Sequence, residues 1–291
     1  FYSIVVPCYN GAQYLKECLD SIERQDCDDW EVIAVNDGST DETLSLMKAY
    51  GEQDTRIHAI DKERNEGLHL ARKSGVEAAT GSYILFVDAD DELAPHALAG
   101  LKEALASCPD GYDILHFGVE CIAADGYPAS GVQGMSDWLN KDAEPLDRES
   151  LLKAIFSRKH PTDKDWNIDH RAFESTLVKK AFAAMTTNRV DLVEDGYEML
   201  VIASCAKGEV TRNDLCYYRY MVGRGVTNSK RLSVDEFVEH SKALLVAIEA
   251  LRDFAKSNGT ALIREAADNY IYQITYTHMN DWYGRVDDGE K

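Results

Sequence analysis

Residues 81–95 read GSYILFVDADDELAP, an apolar run from Tyr83 to Val87 that passes directly into three aspartates within four positions. A continuous apolar run rich in β-branched and aromatic residues is the pattern of a strand covered on both faces, as in a parallel sheet. Side chains alternate along an extended chain, so Asp88 and Asp90 are expected on one side and Ala89 on the other. Two like charges facing one way repel unless a hard cation is shared between them. In open α/β sheets, ligands collect outside the carboxyl ends of the strands, which is where these carboxylates fall. Asp91 and Glu92 read more simply, as caps of a helix expected to start near Pro95.

Outward from this stretch, strand patterns at 3–7, 31–36, 56–60, 83–87 and 113–118 alternate with helical patterns at about 11–25, 41–53, 67–79 and 95–107. Regular βα alternation predicts a mostly parallel sheet with right-handed crossovers, flanked by helices. Asn10-Gly11 opens the first helix and Ser39-Thr40-Asp41-Glu42 caps the second. After residue 118 the alternation fails, and 119–148 reads as a long excursion. Helices are expected again near 148–157, 171–184 and 195–206, then short strands near 208–212 and 215–221. Beyond Ser233 two amphipathic helices follow. Phe237, Leu244, Leu245, Ile248, Leu251 and Phe254 form the stripe of one, and Leu262, Ile263, Ala266, Tyr270, Ile274 and Trp282 that of the other. The expected division is 1–230 (halves about 1–118 and 119–230) with a helical extension over 231–291.

At 291 residues with a formal charge of −20, the chain has no apolar run long enough for a bilayer span, and no stretch reads as a signal peptide. It opens directly on the strand FYSIVVPCYN, which implies a piece of a longer protein. Its surface repels nucleic acid and anionic lipid, so neither is an expected partner and no peripheral membrane contact is indicated. The seven cysteines include no C-x-x-C pair, which points to reduced, mostly buried thiols and a cytosolic protein, at most at the inner face of the membrane. The tail over 233–291 has eleven acidic and six basic residues, a net of −5, so its apolar stripes are expected against the domain or a second subunit, in a homo-oligomer. The eight histidines show no metal-ligand spacing; His58, His69, His96 and His116 read as structural or surface residues. Tyr14, Trp138 and Trp166 are aromatics able to stack on a sugar ring, although packing is the commoner use.

The stretch EVIAVNDGSTDET repeats the opening logic, because the strand Val32 to Val35 delivers Asn36 and Asp37 at its end, and the first strand ends in the polar turn Pro7-Cys8-Tyr9-Asn10-Gly11. Three strand ends converge on one edge. Here the sequence resembles the family 2 glycosyltransferases, inverting enzymes with the GT-A nucleotide-diphosphosugar fold. The matching elements are SIVVPCYNGAQYLKECLDSI, VIAVNDGSTDET, NEGLHLARKSG, GSYILFVDADDEL, VEDGY and YYRY, in order across residues 2–228. Residues 233–291 lie outside the resemblance.

The resemblance implies a role for each matching position. Pro7, Tyr9, Asn10 and Asp37 would hold the nucleobase and ribose, with Asp37 accepting from the base, and Arg72 would lie near the base or phosphates. Asp88 would face the ribose and metal, Ala89 would sit between the two aspartates in the donor site, and Asp90 would bind a divalent ion, Mn²⁺ or Mg²⁺, bridging the diphosphate of a UDP-linked donor. Of the acidic pair Glu194-Asp195, Asp195 is favoured as general base, with Glu194 as a supporting or acceptor-binding residue; simple capping is the plain alternative for both. Arg219 and Arg224 would steady the departing diphosphate, although Arg219 is equally a structural candidate. Lys73 stands where the family has Asn, and reads as a helix-surface charge. WNIDHRAFES departs from the family's W-N-K-L-aromatic pattern after Trp166-Asn167. The expected activity is transfer of a sugar to a glycan or lipid-linked acceptor. The alternative is a non-catalytic nucleotide-sugar-binding module of the same fold. A Rossmann dinucleotide site lacks its G-x-G-x-x-G, and a receiver domain is far shorter.

Overall fold

The computed structural model describes residues 1–124, 127–158, 162–224 and 231–286. The N-terminal half is the expected alternation: β1 (Tyr2–Cys8), α1 (Ala12–Glu23), β2 (Trp30–Asn36), α2 (Thr43–Gln53), β3 (Ile57–Asp61), α3 (Leu68–Ala78) and β4 (Tyr83–Phe86). β1 pairs in parallel with β2 and β4, and β2 with β3. All seven residues of β1 and all seven of β2 are buried, because helices cover both faces of the sheet.

Beyond β4 the order is β5 (Glu92–Leu93), α4 (Ala97–Ala106), β6 (Ile114–Ala123), α5 (Ala129–Leu139), β7 (Leu146–Asp147), α6 (Arg148–Ile155), β8 (Arg171–Glu174), α7 (Ser175–Ala184), α8 (Glu194–Cys205) and β9 (Gly208–Val222). Among the described residues the sheet runs β3-β2-β1-β4-β8-β6-β9-β5, with β7 also on β9. Three expectations are corrected here. The helix expected over 171–184 yields its first residues to β8, which pairs antiparallel with both β4 and β6 and lies between them. The two short strands near 208–221 are one strand, β9, whose register against β6 shifts around Gly118. The cysteines are free, as expected, yet only Cys8 and Cys18 are buried.

The tail forms α9 (Val234–Asn258) and α10 (Ala261–Arg285). Ser233 and Glu236 make a reciprocal capping box, and Gly259 turns the chain at φ 69° between the helices. Leu244, Ile248, Leu251, Phe254, Ile263, Ala266, Tyr270 and Ile274 are buried, whereas Leu245 from the expected stripe is 60% exposed. These side chains belong to the same hydrophobic cluster as α6, α7 and α8. The expected boundary at 230 falls on 225–230, and the last residues of the expected extension on 287–291, both outside the described residues. No helix among the described residues is long and apolar enough to cross a membrane.

Candidate active site

Because β1, β2 and β4 are parallel and in register, their carboxyl ends lie together. After β4, Val87 still bonds to Val5, but the amide of Asp91 donates to the carbonyl of Asp88 at 3.0 Å. The aspartate stretch is therefore a turn, which corrects the expected extended alternation. Asp88 and Asp90 remain half-exposed on it, with Ala89 buried between them. Asp91 is no helix cap: it is 2% exposed, and its carboxylate accepts from the Tyr218 hydroxyl and the Met221 amide, both at 2.7 Å. It fastens β9 to the strand-end turn. α4 starts later, after His96 in a left-handed conformation.

Arg72 on α3 organises the site. Its guanidinium is fully buried and donates to Asp195, to Glu198 at 3.1 Å, to Asp88 at 3.2 Å and to Asp169 at 3.4 Å. Glu198 also contacts His69 Nδ1 at 2.8 Å, while His69 Nε2 faces the Thr186 carbonyl at 3.1 Å. One guanidinium thus faces four carboxylates, with Asp90 and Glu194 close by. Burial drives the Asp88 carboxyl up to about 6 against the pull of Arg72, with Asp90 and Asp195 adding repulsion. Burial and then the charge of Asp88 raise Asp169 well above the carboxylate range, and burial raises Asp90 as well. Glu194, which starts α8, is raised to about 8 by burial and then by Asp195. One oxygen of Glu194 is buried without a partner among the described residues. Val193 is the N-cap of α8, and neither acidic side chain caps it.

This surplus of buried negative charge, open at Asp88 and Asp90, fits a hard divalent cation with oxygen ligands. Asp88 and Asp90, half-exposed on the strand-end turn, are the candidates to hold it.

Other expected residues are placed as follows. Pro7 is buried in β1 opposite Val35. Tyr9 is 52% exposed beside the strand ends. Asn10, at φ 49°, accepts from the Thr40 amide at 2.8 Å and so ties the turn after β1 to the turn after β2. Asp37, expected to meet the nucleobase, is 2% exposed and its two oxygens accept from the amides of Glu66 (3.0 Å) and Gly67 (2.8 Å). It holds the turn that launches α3, and so positions Arg72. Arg219 is committed to Glu120 at 3.0 Å and Glu92 at 3.7 Å, its structural alternative. Arg224 pairs with Glu17 at 2.7 Å, lies 4.6 Å over the Tyr14 ring, and is the cation whose charge acts on Asp90. Lys73 is not a plain surface charge: it donates to the Phe182 carbonyl at 2.9 Å, near the end of α7.

The family model described as glycosyl transferase family 2 matches residues 3–179, more than half of the chain. The chain belongs to glycosyl transferase family 2. The putative glycosyltransferase EpsH of Bacillus subtilis is 33% identical over 157 residues, 54% of this chain and 43% of that protein. Glycosyltransferase GlyA of Streptococcus pneumoniae is 45% identical over 89 residues, 31% of this chain and 13% of that protein. The chain therefore spans less than half the length of these relatives. Among solved structures, S. aureus TarS 1–349 in complex with UDP superposes with a TM-score of 0.65 at 20% identity, covering 99% of this chain and 76% of that one. The mannosyltransferase PcManGT of Pyrobaculum calidifontis, in complex with GDP-Man and Mn²⁺, gives 0.59 at 16% identity over 96% and 72%. These likenesses bear out the GT-A fold.

Sequence reasoning missed Asp169 and Glu198. Glu198 carried a readable signal, since it follows Asp195 by three residues on one helix face. Asp169 lies where WNIDHRAFES leaves the family pattern. The same segment builds a second buried node. Asp165 contacts His116 at 3.2 Å, His170 at 2.9 Å and Arg171 at 2.9 Å, and Glu209 contacts Arg171 at 2.8 Å and Lys164 at 3.3 Å. The ligand atoms of His116, Asp165 and His170 are close enough for a metal. Yet two carboxylates here already meet two cations, and burial, then Arg171 and Lys164, push His116 down to about 3. With no surplus negative charge this node is structural; it ties β8, through Arg171, to His116 of β6 and Glu209 of β9.

Proposed function

We propose that the protein is an inverting, metal-dependent glycosyltransferase that moves a sugar from a UDP-linked donor to a glycan or lipid-linked saccharide. The observation that carries this reading is the single buried Arg72 shared by Asp88, Asp169, Asp195 and Glu198 at the open end of a parallel sheet. Family membership, and relatives in complex with UDP and with GDP-Man and Mn²⁺, support it.

In this reading Asp88 and Asp90 hold Mn²⁺ or Mg²⁺, which when bound neutralises the donor diphosphate and stabilises it as leaving group. The turns at Pro7–Asn10 and Asp37 flank the nucleoside. Asp195 accepts the proton of the acceptor hydroxyl as that oxygen attacks the anomeric carbon. The bond from that carbon to the diphosphate breaks, and the nucleoside diphosphate leaves with the electron pair. Arg72 holds Asp195 in place for this step. In this reading the protein acts in the cytosol, which its seven free cysteines support. Incubating the protein with UDP- and GDP-sugars, with and without Mn²⁺, tests the reading: metal-dependent release of nucleoside diphosphate supports it, and no turnover or binding of any donor overturns it.

A further inference from the structure

Beside the acidic pair stands an aromatic wall that the donor chemistry does not use. Trp138, near the end of α5, meets Trp166 edge to face at 5.0 Å, and Trp166 meets Tyr270 of α10 at 5.7 Å. Tyr270 in turn touches the start of α8, where its hydroxyl lies 3.4 Å from the Val193 carbonyl and its ring fills the space over Gly196. The wall therefore leads to Glu194 and Asp195.

Both indoles are half-buried, and neither indole N–H has a partner among the described residues, although neither is sealed from solvent. Each is nevertheless held by a rigid neighbour. Asn140, two residues after Trp138, clamps β6 through Val119, accepting from its amide at 2.8 Å and donating to its carbonyl at 2.9 Å. Asn167, next to Trp166, donates from its amide to Asp165 at 2.9 Å, and Arg171 donates to the Asn167 carbonyl. Trp166 packs on one hydrophobic cluster and Trp138 on the other, and both keep part of their aromatic surface exposed, side by side, which is what a recognition surface requires. The unpartnered buried oxygen of Glu194 adds a polar group at the end of the wall nearest the acidic pair.

We propose that Trp138 and Trp166 form the acceptor subsite, and that the acceptor presents a pyranose ring whose apolar C–H face stacks on Trp138, with the wall leading on toward Glu194 and Asp195. This rests on the glycosyltransferase reading above. A pyranose has a flat face of C–H groups that suits the negative face of an indole. An acyclic polyol has no such face.

The test uses the full chain with UDP and Mn²⁺ present, and follows tryptophan emission during titration with methyl β-D-glucopyranoside or with ribitol. The pyranoside is expected to shift the emission and ribitol is not. Trp138→Leu keeps apolar volume without an aromatic face and is expected to weaken the pyranoside response about tenfold, or about 1.4 kcal/mol. Trp138→Phe is expected to stay within about threefold of the parent protein. UDP affinity serves as the folding control and should be the same in all three proteins. A pyranoside response unchanged in Trp138→Leu, equal binding of ribitol, or no response in a protein that binds UDP overturns the subsite. Failure to bind any nucleotide instead overturns the parent reading.

Discussion

Arg72 reaches from α3 to hold the carboxylate of Asp195 on α8, an ion pair between a fully buried cation and a carboxylate that is still about a third exposed. The pair fixes one oxygen of Asp195 and leaves the side chain open to the cleft, which is the condition a general base must meet. Asp195→Asn keeps the shape and removes the basicity. Arg72 retains three other carboxylates, so the fold should survive. Transfer is expected to fall by about 10²–10⁴-fold with UDP affinity nearly unchanged. Single-turnover kinetics beside calorimetry separate the two; lost affinity with surviving turnover would move the base to Glu194.

Asp90 makes no ion pair among the described residues and lies in a field already rich in carboxylates. Asp90→Ala removes one metal ligand where a diphosphate has to approach that field. UDP binding in the presence of Mn²⁺ is expected to weaken by at least about tenfold, or about 1.4 kcal/mol. Calorimetric titration of UDP with and without Mn²⁺ reads this directly, and equal metal-dependent affinity in the variant would falsify the assignment.

Glu194 makes stability depend on pH. Its carboxyl is raised from 4.5 to about 8, so the native protein keeps a proton that the unfolded chain releases over this range. Its contribution is fully present below the ordinary carboxylate value and is lost as pH rises through about 8. Glu194→Gln mimics the neutral form at every pH. Melting temperatures of variant and parent should therefore agree near pH 4, and the variant should gain with increasing pH, by an amount on the order of 1–3 kcal/mol at pH 9. Parallel melting curves across the whole range would show that Glu194 is not a buried charge.

What was legible in the sequence was what depends on local pattern. β1, β2 and β4 carry the apolar runs Ile4 to Val6, Val32 to Val35 and Tyr83 to Phe86 because both of their faces are covered, and Asp88 and Asp90 were found because they end such a run. The stripes of α9 and α10 recur at helical spacing, so most of their buried residues could be named. The Arg72 node could not be read in this way. Its partners come from 88, 169, 195 and 198, and only the fold brings them together. β8 was hidden because four residues, RAFE, run straight into a helix and are held as strand by two distant neighbours. Asp91 looked like a cap for the same reason: its partners, Tyr218 and Met221, lie far along the chain.

The packing of α10 on α8 couples the tail to the acidic pair. Truncation at Lys230 removes Leu244, Leu251, Phe254 and Tyr270, each worth roughly 1.5–3 kcal/mol when buried, and uncovers the apolar residues of α6 and α8 that share their cluster, so the shortened protein is expected to melt lower or aggregate. A finer probe is Gly196, where a Cβ would run into the Tyr270 ring. Overpacking of this kind typically costs about 1–3 kcal/mol and shifts backbone, and here the backbone at risk carries Glu194 and Asp195. Gly196→Ala should lower stability and slow transfer, while the strand-end aspartates on the other side of Arg72 keep UDP affinity within about twofold. Thermal melting, single-turnover transfer and UDP calorimetry on one preparation would show this. Should Gly196→Ala lose UDP binding in step with transfer, α10 supports the whole site and not α8 alone.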